Sequence, residues 1–293
     1  MKFTLPYLIN VPPFMFRGVN VNNLNFLQKI IFIIKGKILS YLIENLNERN
    51  FCNAINFFYS ENTKIFFEQS LYKKELEKTG VISYPNKRIL RMVNNYELQL
   101  KRLVDSYCLE SININDGDTV LDCGANVGEL NIALKGMEIY VNYIGFEPDP
   151  DTFECLKLNN PEDQNLFHMN ALSNKDGSKE FYIDNYGGNS SLVKFGDSES
   201  IKVSTITLDS LNLEKKIKLF KIDAEGFEPE VLKGSVNTLR LINFISVDYG
   251  HERGENQEST IVDVNNLLTE YNFKLVKFSE HRLIGLYENQ EYR

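Results

Sequence analysis

The feature that most constrains the fold is an alternation that begins near residue 105, where short apolar runs and helical stretches follow one another. Most of the apolar runs end in or beside Gly, Asp or Pro, which are typical of turns. The runs cover residues 119–123, 143–147, 166–171, 217–223, 244–248, 273–278 and 283–287, and a hairpin joins 180–184 to 201–208. Strands that alternate with helices form a mainly parallel sheet, so the sequence predicts an α/β fold.

The first part of the chain has a different composition. It is rich in Asn, Phe, Ile, Leu and Lys, and contains few glycines. Apolar residues recur at helical spacing over 38–46 and again over 89–104, with a break near 94–95. We therefore predict a mainly helical N-terminal region, residues 1–104, ahead of a catalytic domain at 105–293. No segment of this region carries a recognisable catalytic motif.

Composition excludes some partners and locations. The formal net charge of −8 argues against a broad nucleic-acid-binding surface. The longest apolar run, residues 30–34, is flanked by lysines and is far shorter than the roughly 20 residues of a membrane span, so we interpret it as part of a core helix. The four cysteines form no C-x-x-C pair, which indicates reduced, buried thiols and a cytoplasmic protein.

A glycine-containing turn follows the first predicted strand, in residues 118–128. The strand ends at Asp122 or Cys123, and a helix begins near Val127. Ligands of α/β sheets bind outside the carboxyl ends of strands, and Gly124 and Gly128 let the backbone approach one closely. The segment matches neither G-x-G-x-x-G nor a P-loop. By itself it is also compatible with a purely structural turn.

An acidic residue ends the next predicted strand. Glu147 lies 23 residues after Gly124 and precedes Pro148. A carboxylate in this place can accept hydrogen bonds from both hydroxyls of a ribose. The alternative is a solvent-facing acid at a helix start, with Pro148 at the first helical position. The two segments in this order indicate a nucleotide-type ligand more specifically than either alone.

Four ordered segments resemble the FkbM-type methyltransferases. They are DCGANVG (122–128), FEP (146–148), NALS (170–173) and KIDAEGFEPE (221–230), the last continuing as VLKG (231–234). The resemblance covers residues 95–288. It implies a Rossmann-like, seven-stranded sheet with helices on both faces and an antiparallel last strand. It also implies S-adenosylmethionine as the methyl donor and, commonly, a hydroxyl oxygen as the acceptor.

The resemblance also implies roles for residues at the strand ends. One group would surround the amino-acid and ribose portion of the cofactor: Asp122, Gly124, Asn126 and Gly128. Glu147, followed by Pro148, would hold the ribose. Asn170 and Ala171 would meet the adenine edge, where many methyltransferases have an Asp in place of Asn170. An amide oxygen can still accept from the adenine amino group.

Candidate catalytic residues follow the fourth and fifth strands. Asp223 and Glu225 could supply a general base, or could hold a divalent cation such as Mg²⁺ through their oxygens. They could also simply bind the cofactor or order the loop. His251 follows the fifth strand, and its imidazole suits a base near neutral pH, although a solvated loop histidine is an equal alternative.

Candidate acceptor-binding residues are Asn189 and Ser190, in the Gly/Asn/Ser-rich loop 186–192, and Asp248 at the end of the fifth strand. We predict a small-molecule or saccharide acceptor and no nucleic acid or membrane span. A homo-oligomer, an N-methyltransferase, a nucleotide-dependent oxidoreductase and a non-catalytic binding protein stay open. The absence of G-x-G-x-x-G argues against the oxidoreductase. The presence of acidic residues at the strand ends argues against a non-catalytic binding protein: Asp122, Glu147, Asp223 and Glu225.

Overall fold

The computed structural model describes residues 11–59, 64–182, 191–193, 200–253, 256–279 and 282–292. The chain divides into two compact units, Met1–Gln99 and Leu100–Arg293. In the described part of the chain, no helix is both long and apolar enough to cross a membrane.

The first unit combines helices with a small antiparallel sheet. Helix α1 (Phe26–Asn45) begins at a capping box in which Asn25 and Gln28 bond reciprocally to each other's backbone N–H. The remaining elements are α2 (Glu48–Phe58), strands β1 (Ile65–Glu68), β2 (Leu71–Leu76) and β3 (Gly80–Tyr84), a 3₁₀ helix (Lys87–Met92) and the start of α3 (Tyr96–Ser106). The break between the last two falls at 93–95, as the spacing predicts.

The helical interpretation of this region missed the β1-β2-β3 sheet. Strand β2 alternates its burial, but its inward-facing residues are Tyr72, Lys74 and Leu76, so a lysine interrupts the apolar alternation. The Lys74 ammonium lies 5.8 Å from the centre of the Tyr96 ring, which compensates part of its burial. The core-helix interpretation of residues 30–34 holds only in part, because Ile31 and Ile34 of α1 are more than half exposed.

The second unit contains an α/β sheet and two smaller sheets. Its strands are β4 (Thr119–Cys123), β5 (Asn142–Phe146), β6 (Leu166–His168), β7 (Ala171–Leu172), β8 (Gly177–Tyr182), β9 (Ser200–Ile206), β10 (Ile217–Ile222), β11 (Ile242–Asp248), β12 (His251–Arg253), β13 (Glu258–Ser259), β14 (Phe273–Phe278) and β15 (Ile284–Asn289). Its helices, after the end of α3, are α4 (Glu129–Gly136), α5 (Pro150–Asn159), α6 (Glu228–Lys233) and α7 (Ile261–Glu270).

The main sheet has seven strands in the order β14-β15-β11-β10-β4-β5-β6. Strands β4, β5, β6, β10 and β11 pair in parallel, and β15 is antiparallel to both of its neighbours. Among the parallel strands, the chain order runs outward from β4 in both directions, through β5 and β6 on one side and β10 and β11 on the other. Because crossovers between parallel strands are right-handed, this reversal places helices on both faces. The predicted Rossmann-like, seven-stranded fold with an antiparallel last strand is confirmed.

Register aligns the ends of the central strands. Cys123 pairs with both Phe146 and Ile222, and Ile222 also pairs with Val247. The residues that follow these four positions therefore lie side by side at one edge of the sheet, with Asp248 as the last residue of β11: Gly124, Glu147, Asp223 and Asp248. The central strands are buried on both faces, with Val120 and Leu121 of β4 and Leu219 and Phe220 of β10 fully enclosed, as expected of parallel strands covered by helices.

One predicted strand is divided between two sheets. The run 166–171 forms β6, which ends at His168, and Ala171 belongs instead to β7 in a separate sheet of order β7-β9-β8. The chain changes direction because β7 pairs with β9 of the predicted hairpin, and Ser173 N–H donates to the Ile206 carbonyl at 2.9 Å. The periodicity of a short apolar run does not show which sheet its end joins.

Candidate active site

The turn after β4 requires glycine for packing as well as for backbone conformation. Gly124 has φ +72°, and a Cβ there would lie 2.1 Å from the Asp223 carbonyl oxygen. Gly128 has φ +82° and precedes α4; a Cβ there would lie 2.0 Å from the Asn160 side-chain nitrogen. Any larger residue would push the turn off β10 or off α5. The Gly124 contact places Asp223 directly beside the predicted cofactor turn.

Glu147 is fixed at the end of β5 by the backbone. Its two carboxylate oxygens accept from Asn126 N–H at 2.9 Å and Asp149 N–H at 3.0 Å. Only 6% of the residue is exposed, and Pro148 beside it is also buried. Each carboxylate oxygen can accept more than one hydrogen bond, so a carboxylate oriented in this way can also accept from a diol.

Replacing Glu147 by Ala should weaken binding of S-adenosylhomocysteine by roughly 1–3 kcal/mol, because charge-assisted hydrogen bonds to the ribose would be lost. Isothermal titration calorimetry measures this directly. Glu154→Ala, on the exposed side of α5, is the matched control and should bind normally. Equal affinity in the two variants would remove Glu147 from the ribose.

A buried ion pair holds the backbone of the turn that follows β4. Lys221 of β10 lies 2.8 Å from Asp122 Oδ1 and donates to the carbonyls of Cys123 at 3.1 Å and Gly124 at 2.8 Å. The Tyr143 hydroxyl donates to Asp122 Oδ2 at 2.5 Å. Burial raises the pKa of Asp122, although Lys221 and Tyr143 oppose that rise. The predicted cofactor ligand Asp122 is thus 1% exposed and bonded to protein groups, so its geometry indicates support of the turn.

The predicted adenine side lies where β5 and β6 end. The Phe146 and His168 rings stack with centroids 5.0 Å apart, and burial lowers the pKa of His168, which favours the neutral ring. Asn170 follows in the link to β7 and is half-buried, whereas Ala171 is buried in β7. The contact of Asn170 with adenine stays a prediction.

The loop after β10 is held by a buried carboxylate. One oxygen of Glu228, at the start of α6, accepts from Ala224 N–H at 3.1 Å and Gly226 N–H at 2.9 Å. Its other oxygen accepts from the Thr260 hydroxyl at 2.8 Å. Arg253 adds a bond to the Gly226 carbonyl at 2.8 Å while it pairs with Glu230. The backbone around Glu225, which has φ +50°, is therefore fixed on both sides.

Glu228 should make stability depend on pH. Burial, the largest cause, raises its pKa from 4.5 to about 7. A raised folded-state pKa means that ionisation costs stability, so the free energy of unfolding should fall as pH rises from 4.5 through about 7. The fall should total roughly 3 kcal/mol. Glu228→Gln should remove this component, which urea unfolding of both proteins between pH 4 and pH 8 measures. Parallel curves for the two proteins would contradict it.

Two carboxylates and one guanidinium meet at the ends of β10 and β11. Arg282 pairs with Asp248 and lies 3.9 Å from Asp223 Oδ2. The Tyr107 hydroxyl donates to the same Asp223 oxygen. Asp248 also accepts from Gly250 N–H at 3.2 Å and is 2% exposed. The predicted catalytic acid and the predicted substrate acid are therefore joined through one cation.

The other predicted residues differ in placement. His251, in β12, is exposed, and its Nδ1 lies 3.2 Å from the Gln257 carbonyl oxygen. Asn189 and Ser190 lie outside the described residues. Ser191, which follows them, donates its hydroxyl to the Glu225 carbonyl at 2.6 Å. Among the described residues, no three His, Cys, Asp or Glu side chains are grouped to hold a metal ion. The four cysteines are free and buried, as predicted.

Sequence reasoning missed four residues that shape this site: Tyr107, Lys221, Glu228 and Arg282. Lys221 had a usable signal, because a charge within the apolar run 217–223 of a buried strand needs a partner. Glu228 belongs to the resembling segment 221–230, but nothing in its spacing indicates that it accepts from the loop backbone. Tyr107 and Arg282 carry no local signal, since only the fold brings them to Asp223.

The sheet order and the strand-end residues define the class of S-adenosylmethionine-dependent methyltransferases. Residues 122–275 match the family described as "Methyltransferase FkbM domain". Because this match covers more than half of the 293 residues, the chain belongs to the FkbM methyltransferase family. The predicted family is confirmed, and S-adenosylmethionine is its methyl donor.

Two curated relatives are similar to this chain. It is 30% identical over 138 residues to the "Hexuronic acid methyltransferase AglP" of Haloferax volcanii, with 45% of this chain and 56% of that protein covered. It is 26% identical over 172 residues to the "Methyltransferase sdnD" of Sordaria araneosa, with 46% and 66% covered. The chain thus spans less than two thirds of either relative.

Among solved structures, a putative rRNA methylase from Clostridium thermocellum is similar at 11% identity and a TM-score of 0.41. The similarity covers 65% of this chain and 97% of that one.

Proposed function

We propose that this protein transfers a methyl group from S-adenosylmethionine to a hydroxyl oxygen of a saccharide or other small acceptor. The observation that carries the proposal is the placement of Asp223 against Gly124, with its carboxylate bonded by Tyr107 and adjacent to Arg282. The similarity to a hexuronic acid methyltransferase supports a sugar as the acceptor class.

The residues present fit the cofactor. Gly124 and Gly128 have no room for a Cβ, and Glu147 is held by two backbone N–H groups. Asn126 shapes the turn through its own N–H, and Asn170 follows two residues after His168, whose ring stacks on Phe146. The chemistry that S-adenosylmethionine supplies when bound is an activated methyl group.

The residues of the chain would act on the acceptor. Asp223 would accept the proton that the acceptor hydroxyl releases as its oxygen is methylated, leaving a methyl ether and a protonated carboxyl group. The fixed backbone around Glu225 would keep the acceptor oxygen in line, which is the largest task when the donor is already activated. Asp248, with Asn189 and Ser190 of the loop 186–192, would contact the acceptor. The bond from the Ser191 hydroxyl to the Glu225 carbonyl at 2.6 Å supports this role for the loop.

The test uses purified protein with S-adenosylmethionine and three p-nitrophenyl glycosides: a neutral hexoside, a hexuronide and an amino sugar. A mass gain of one methylene group on a glycoside is the expected result. Mild alkali cleaves a methyl ester of the hexuronide and leaves a methyl ether intact, and a product from the amino sugar alone would indicate nitrogen transfer. Calorimetry with S-adenosylhomocysteine and NAD separates this class from an oxidoreductase; NAD binding in place of S-adenosylhomocysteine would refute the proposal.

Further parts of the proposal concern the whole chain. We propose that residues 105–293 form the catalytic domain and that residues 1–104 are a separate, mainly helical region. The four free, buried thiols support a cytoplasmic location. We also propose that Asp223 acts as a base, with a divalent cation as the alternative. Activity with and without a chelator distinguishes the two.

A further inference from the structure

We propose that Tyr107 and Arg282 are positioning residues that hold the Asp223 carboxylate in its reactive orientation. This inference rests on the proposed function, because it assigns Asp223 as the group that accepts the acceptor's proton. It adds two residues that lie outside the segment 122–275 matched by the FkbM family, one just after α3 and one between β14 and β15.

Tyr107 is a rigid donor. The residue is 2% exposed, and its hydroxyl donates to Asp223 Oδ2. Two cations lie over its ring, with Lys221 Nζ at 5.3 Å and the Arg282 guanidinium carbon at 5.5 Å from the centroid. Its backbone carbonyl accepts from the Ser246 hydroxyl of β11 at 2.8 Å. Ring and backbone are therefore both fixed relative to the sheet.

The Tyr107 phenol also stays a donor. Burial raises its pKa well above 10, and the negative charge of Asp223 raises it further, while Arg282 opposes the rise. A phenol that keeps its proton gives Asp223 a permanent hydrogen bond on one oxygen. That bond restrains the rotation of the carboxylate.

Arg282 faces the same Asp223 oxygen, Oδ2, to which Tyr107 donates. It pairs with Asp248 and faces Asp223 at 3.9 Å, so one planar guanidinium ties the end of β10 to the end of β11. Although burial alone would lower it, Tyr107, Asp223, Asp248 and Glu225 together raise the pKa of Arg282. The cation therefore remains charged and offsets the repulsion between two neighbouring carboxylates.

The first test measures kcat, KM and S-adenosylhomocysteine affinity for Tyr107→Phe, Arg282→Lys and Arg282→Gln. The acceptor is the p-nitrophenyl glycoside that the wild-type protein methylates. Tyr107→Phe should lower kcat about 10–100-fold, the scale of one hydrogen bond to a charged group, with KM and cofactor affinity nearly unchanged. Arg282→Gln should lower kcat more than Arg282→Lys, which keeps the charge. Tyr287→Phe is the matched control: it removes another buried hydroxyl, 3.4 Å from Asn265, and should lower the melting temperature without changing kcat.

Normal kcat in both Tyr107→Phe and Arg282→Gln would overturn the inference while leaving the proposed function intact. So would a loss of cofactor affinity equal to the loss of kcat, because that pattern indicates general disruption. If the wild-type protein methylates none of the three glycosides, the acceptor proposal has failed, and a double-mutant cycle between Tyr107→Phe and Asp223→Ala decides the inference. We expect their effects on the unfolding equilibrium constant to depart from additivity by about tenfold, and additive effects would overturn it.

Discussion

Asp223→Asn should lower kcat by about 10²–10⁴-fold, the usual scale for loss of a general base. The amide keeps the shape of the side chain and can still accept from Tyr107, but it cannot take up the acceptor's proton. Affinity for S-adenosylhomocysteine should change little, because the lost interaction matters mainly in the transition state. Methylation of the p-nitrophenyl glycoside that the wild-type protein accepts measures kcat, and calorimetry measures the affinity for S-adenosylhomocysteine.

The matched comparison for Asp223 is His251, the other predicted base. His251 is exposed and contacts the Gln257 backbone, so His251→Ala should cost far less turnover than Asp223→Asn. A larger loss of turnover in His251→Ala than in Asp223→Asn would identify His251 as the base. If a chelator abolishes activity and Mg²⁺ restores it, the carboxylate would instead act through a cation.

Lys221→Met should lower the free energy of unfolding by roughly 3–5 kcal/mol, because it would leave the Asp122 carboxylate buried without its cationic partner. Both side chains are nearly inaccessible, at 6% for Lys221 and 1% for Asp122. The same change removes two donors from the carbonyls of the cofactor turn, so S-adenosylhomocysteine should also bind more weakly. Urea unfolding and calorimetry measure the two effects.

The double variant Lys221→Met with Asp122→Asn should recover much of the lost stability, because a neutral amide costs less to bury than an unpaired carboxylate. Tyr143 can still donate to the amide oxygen. Lys157→Met is the surface control, since Lys157 and its partner Glu154 are both exposed and such pairs contribute about 0–1 kcal/mol. A loss for Lys221→Met no larger than that of the control would show that the buried pair does not hold the turn.

The sequence predicted the main sheet because its strands carry local signals. Central strands such as β4, predicted at 119–123 and found there, are short apolar runs bounded by turn residues, and the alternation with helices determines parallel pairing. The β1-β2-β3 sheet was missed because it lacks such a local signal. Lys74 occupies an inward-facing position of β2, and the local spacing does not show that the Tyr96 ring compensates its burial.

The amino-acid sequence by itself determined the α/β class, the family, and which residues end the strands at the ligand edge, including Gly124, Glu147 and Asp223. These features are encoded within short segments, where periodicity and turn residues act locally. Only the tertiary structure decided that Asp122 is bonded to Lys221 and that Tyr107 and Arg282 meet at Asp223. Those contacts join residues about 60 to 116 positions apart in the chain, so strand register and loop packing, not local spacing, bring their atoms together.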